Sequence, residues 1–62
     1  MTKRSEVEMT VHGIPLTLVV YCNESNEIDW DILTDEDSDR IMLMSHYSLL
    51  FEAEAKDIAS GF

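Results

Sequence analysis

From Val7 to Cys22 apolar side chains fall on every second residue, and the alternation breaks at His12-Gly13. Val7, Met9 and Val11 face one way while Glu6, Glu8, Thr10 and His12 face the other; Ile14, Leu16, Leu18, Val20 and Cys22 then resume the pattern. A period of two belongs to a half-buried strand. A two-residue break ending in glycine belongs to a tight hairpin, whose turn takes positive φ that glycine adopts without a steric penalty. The register follows by counting outward from the turn: Val11 opposite Ile14, Met9 opposite Leu16 and Val7 opposite Leu18, every pair apolar. Pro15 fits this register. Val11 and Ile14 form the hydrogen-bonded pair, so the nitrogen of residue 15 turns away from the first strand.

The polar stretch Asn23-Glu24-Ser25-Asn26 predicts a turn, and Glu27-Ile28-Asp29-Trp30-Asp31-Ile32 predicts a third strand. Ile28, Trp30 and Ile32 join the inner face, while Glu27, Asp29 and Asp31 join Glu6 and Glu8 outside. An antiparallel meander with one wet and one dry face needs a cover for the dry one. A helix from Thr34 to Ala59 supplies it. Thr34 reads as the N-cap with Asp37 three residues on, and Asp35, Glu36 and Asp37 place negative charge at the positive end of the helix dipole. Glu36–Arg40 and Glu52–Lys56 are spaced i,i+4, and Gly61 reads as the stop. The expected fold is α+β: a three-stranded antiparallel β-meander packed against one long C-terminal helix, in a single domain of residues 1–62. Arg40 to Met44 has a second reading, as a short fourth strand leading into a shorter helix.

Ile41 to Phe51 contains no Asp, Glu, Lys or Arg in a chain that otherwise carries 13 acidic and 4 basic residues. At about 100° per residue, Met44, Tyr47, Phe51, Ala55 and Ile58 form one stripe flanked by Ile41, which the sheet should cover. A second apolar set lies nearly opposite: Met42, His46, Leu49 and Ala53, with Leu43 and Leu50 at its edge. The helix would also span roughly 37 Å. A seven-residue strand covers only about 23 Å, so part of the helix overhangs the sheet. Overhang and a second stripe predict an interface, with Met42, Leu43, His46, Leu49, Leu50 and Ala53 as its residues and a second copy of the chain as its occupant.

Size and charge exclude several functions. A domain of 62 residues buries only about 60% of the surface its unfolded chain exposes, so self-association is a natural source of further burial. Cys22 is the sole cysteine, which excludes an intrachain disulfide and fits a reducing compartment. The basic start Lys3-Arg4 runs into Ser5-Glu6-Val7-Glu8 with no apolar signal region behind it, and no stretch reaches the roughly 20 apolar residues of a membrane helix. The reading is cytoplasmic. A net charge of −9 repels nucleic acid and anionic membranes and favours basic partners.

Candidate chemical sites are sparse. Asp35, Asp37 and Asp39 resemble the start of a calcium loop, but Arg40 stands where that loop needs glycine and His46 where it needs a bidentate glutamate. His12, Cys22 and His46 are too scattered for a zinc spacing. The chain lacks a phosphate loop, a nucleophile elbow and a metal signature, so neither cofactor, metal nor catalysis is expected. The outer sheet face is the remaining feature. Glu6, Glu8, Glu27, Asp29 and Asp31 flank Thr17, Val19 and Tyr21, and successive outward carboxylates on a strand stand about 6.7 Å apart, a spacing comparable to that of phosphates along a nucleic-acid strand. Acidic strands also guard a sheet edge against aggregation.

The segment Val11-His12-Gly13-Ile14-Pro15-Leu16-Thr17-Leu18, with the order hairpin, acidic strand and C-terminal helix, resembles small accessory proteins encoded by tailed phages and prophages. The resemblance transfers no functional residue. It implies action in the host cytoplasm by binding one host protein. Two functions are therefore expected: a small acidic protein–protein interaction module that forms a homodimer through its helix, or an inhibitor that mimics nucleic acid and occupies a basic host protein through its acidic sheet face.

Overall fold

A computed structural model describes residues 3–62. Three strands, β1 (Lys3–Val11), β2 (Ile14–Cys22) and β3 (Ile28–Leu33), form one antiparallel sheet in the order β1-β2-β3, followed by helix α1 (Asp37–Ala59). This is the α+β meander-and-helix fold that the periodicities predict.

The hairpin register is the expected one, with Val11 opposite Ile14, Met9 opposite Leu16 and Val7 opposite Leu18. Its turn has positive φ at both central residues, 53° at His12 and 75° at Gly13. That is a type I′ geometry, whose twist matches the flanking strands. The second turn is organised by one side chain. Asn23 Oδ1 accepts from the backbone N–H of Ser25 and of Glu27 at 2.9 and 3.0 Å, and Asn26 takes φ 61°. Glu27 is thereby held in the turn, so β3 begins one residue later than the sequence suggested and Glu27 lies outside it.

The core sits between the inner sheet face and α1. Leu16, Leu18 and Val20 from β2, Ile32 from β3 and Leu43, Phe51 and Ala55 from α1 are buried together, with the Trp30 and Phe51 ring centroids 5.9 Å apart. Two assignments on α1 are corrected. Leu43, placed in the outer patch by its helical angle, is 0% exposed, and Ile41, placed beside the core, is 64% exposed. The cause is a break in the helix at Tyr47, whose backbone (φ −127°, ψ 15°) leaves the helical region. On one straight helix Leu43 would stand about 80° from Phe51, eight residues away; with a kink between them, each half presents its own face to the sheet.

The helix start also differs from expectation. Glu36, not Thr34, occupies the N-cap position, and among the described residues its side chain makes no capping bond. Thr34 Oγ1 instead donates to the Glu36 carbonyl at 2.7 Å. Arg40 does not pair with Glu36: its guanidinium reaches Asp31 on β3 at 2.7 Å. Asp37 and Asp39 still supply negative charge in the first turn, and Lys56 pairs with Glu52 at 3.7 Å. Arg40 to Met44 is helical rather than a fourth strand. At the other end Gly61 donates its N–H to the Ile58 carbonyl at 3.1 Å, just past the last helical residue.

Candidate functional site: the outer face of the helix

With Leu43 withdrawn into the core, the predicted interface contracts. Met42 is half-buried against the core, while His46, Leu49, Leu50 and Ala53 are exposed, Leu49 at 80% and Leu50 at 47%. These four positions are spaced i, i+3, i+4 and i+7, and the break at Tyr47 falls inside that diamond, between His46 and the three residues of the C-terminal half. Ser45 and Ser48 beside them are also exposed, so no carboxylate or ammonium enters the diamond from within the charge-free run. Exposed leucines scattered singly need no explanation. Two adjacent ones beside a small alanine form a small apolar patch.

Sequence spacing kept His12 and His46 apart, but the fold brings them to one place. His12 at the hairpin tip, with Met42, His46 and Tyr47 of α1, lines an open cleft of about 490 Å³. Tyr47 Oη and His12 Nδ1 share a 3.3 Å hydrogen bond, and their rings lie 6.1 Å apart. The contact ties the hairpin tip to the kink. Cys22 stands at the opposite end of the sheet, paired with Lys3, so it cannot form a nucleophile pair with His12. Among the described residues no group of three or more His, Cys, Asp and Glu side chains is placed to hold a metal ion. Among the described residues no helix is long and apolar enough to cross a membrane.

The acidic face is assembled in rows: Glu6-Val19-Asp31 and Arg4-Tyr21-Asp29 run across the three strands, and Glu8-Thr17-Leu33 closes the end near the hairpin. Val19 is 4% exposed although it faces away from the core, shielded among these side chains. Part of the charge is answered within the chain. Arg4 pairs with Glu6 at 3.3 Å and Arg40 with Asp31 at 2.7 Å. Glu8, with Asp35, Thr17, Thr34, Pro15 and Leu33, borders a second open cleft of about 420 Å³. Leu33 is 52% exposed there. Extending the alternation of β3 by one residue would have found it.

No protein-family model matches the chain, and neither a curated protein nor a solved structure matches it significantly.

Proposed function

We propose that this chain is a small, non-catalytic protein–protein interaction module that self-associates through the outer face of α1. The observation that carries the reading is Leu49, 80% exposed beside Leu50 at 47% within a run that carries no charged side chain. Burying apolar area is worth about 25 cal/mol per Å², and this is the apolar face the fold leaves open on its helix. Under the phage resemblance the module acts in the host cytoplasm, where the same face or the acidic sheet then meets a host protein. Light scattering on a sizing column tests the reading: the wild-type chain should run at about twice its 7.1 kDa, and Leu49→Glu should halve that mass. A wild-type monomer at tens of micromolar, unchanged by the substitution, refutes it.

A second reading, an inhibitor of a basic nucleic-acid-binding protein, is favoured by the cleft rimmed by Glu8 and Asp35, which suits a lysine or arginine side chain. The internal ion pairs of Glu6 and Asp31 count against it, because a phosphate mimic needs its carboxylates free. Of the five acids on that face, Glu8, Asp29 and Glu27 are left, the last in a turn.

A further inference from the structure

We infer that the cleft between the hairpin tip and α1 binds a single copper(I) ion through His12, His46 and the thioether of Met42. The inference goes beyond the self-association reading and does not rest on it. His12 comes from the β1–β2 turn while Met42 and His46 come from the helix, so three donors from two elements border one open space of about 490 Å³. Met42 and His46 are spaced i,i+4 in the half of α1 that precedes the break at Tyr47, where the backbone is regular helix. Residues four apart in such a helix carry Cβ atoms about 5–6 Å from one another, near enough to share an ion. His12 is oriented from its other side, by the 3.3 Å hydrogen bond between its Nδ1 and Tyr47 Oη. With the phenol oxygen accepting from Nδ1–H, the lone pair of the ring lies on Nε2, which is how outer partners present a histidine to a metal.

The donor set selects the ion. Among the described residues no carboxylate or thiolate borders this cleft, which disfavours calcium, magnesium and manganese, whose ligands are oxygens. Zinc draws on imidazole, thiolate and carboxylate and closes its structural sites with four of them, so it finds only two ligands here. A thioether is a soft donor that favours copper(I), and imidazole suits copper as well. Met42 is half-buried against the core, so its sulfur is held at the cleft rather than carried on a free surface chain. The three donors are neutral and leave the charge of the ion unanswered. The net charge of −9 on the chain offsets it and draws cations to the surface.

The test is titration with copper(I) alone, under anaerobic conditions, against a chromophoric copper(I) chelator. A Cys22→Ser background is used, because a free thiol binds this ion unaided; Cys22→Ala replaces it if circular dichroism shows that serine is not tolerated. One ion per chain is expected, with the ring protons of His12 and His46 and the methyl of Met42 shifting together in NMR spectra while the methyl of Met44 does not. Met42→Leu conserves volume and should weaken copper(I) by about tenfold or more, a loss that even outer partners of a metal cause, while leaving the weaker binding of zinc(II) unchanged. His12→Ala and His46→Ala alter exposed side chains and should each weaken copper(I) at least as much. Absence of saturable binding in the background chain overturns the site. Binding that survives the loss of either histidine reduces it to an adventitious contact with the other and overturns it too. Equal loss of copper(I) and zinc(II) in Met42→Leu, or no loss of either, overturns the assignment of the thioether as a ligand and with it the choice of copper(I).

Discussion

Leu43 and Leu49 are the same residue type in the same charge-free run of one helix, yet one is 0% and the other 80% exposed. Leu43 lies among Leu18, Val20, Ile32 and Phe51, so Leu43→Ala removes buried contacts and leaves a cavity, a loss of about 2–5 kcal/mol. That is most of what a chain of this size holds, at about 0.05–0.15 kcal/mol per residue. Leu49→Ala at a concentration where the chain is monomeric should change stability by no more than about 0.5 kcal/mol. Urea unfolding followed by tryptophan fluorescence of Trp30 separates the two: near-complete loss of the folded baseline for Leu43→Ala and an unmoved midpoint for Leu49→Ala. Equal effects would return Leu43 to the surface. The sequence did not show this difference because a straight helix puts Met44, not Leu43, on the stripe of Phe51. The kink at Tyr47 that changes the assignment has no proline or glycine between Arg40 and Ser60 to announce it.

At the scale of elements, what was legible was whatever follows from a period and a count. The β1–β2 register came from a two-residue turn and alternate apolar side chains, and each is a local property that no distant contact had to settle. The helix start was less legible because it depends on rivals for the same groups. Thr34 has the right chemistry for an N-cap, but its hydroxyl donates to the Glu36 carbonyl, and Arg40 is drawn from Glu36 to Asp31 across the edge of the sheet. Glu36 therefore sits at the cap with extended backbone (φ −124°, ψ 139°) and a side chain that caps nothing among the described residues. Its carboxylate is one methylene too long for the capping geometry that aspartate reaches. Glu36→Asp keeps the charge, supplies the cap and should raise stability by about 0.5–1 kcal/mol. In a domain this small that is a rise in Tm of a few degrees, about 4–8 °C per kcal/mol, read by circular dichroism. No gain would mean that the first turn is already satisfied by water. The same competition explains Glu27, which the Asn23-centred turn removes from the strand its alternation predicted.

For the molecule as a whole, the two candidate surfaces answer salt in opposite senses. The body measures 33 × 18 × 18 Å, and one of its faces is acidic while α1 carries no charged side chain between Ile41 and Phe51. At 0.01 M ionic strength the Debye length is about 30 Å, so every charge of one copy is felt across the whole of another; at 0.15 M it is about 8 Å and most of that repulsion is screened. Two chains of −9 that join through an uncharged face gain apolar burial, which salt at these levels barely alters, and lose repulsion, which salt removes. Self-association should therefore tighten several-fold between 0.01 and 0.15 M ionic strength, measured as the Kd from sedimentation equilibrium. Binding of a basic partner through Glu8, Asp29 and the cleft beside Asp35 runs the other way, weakening as the attraction is screened. A dimer that weakens with salt would place its contact on ion pairs. The leucine face would then lose its claim, since nothing titrated by added salt lies within its diamond.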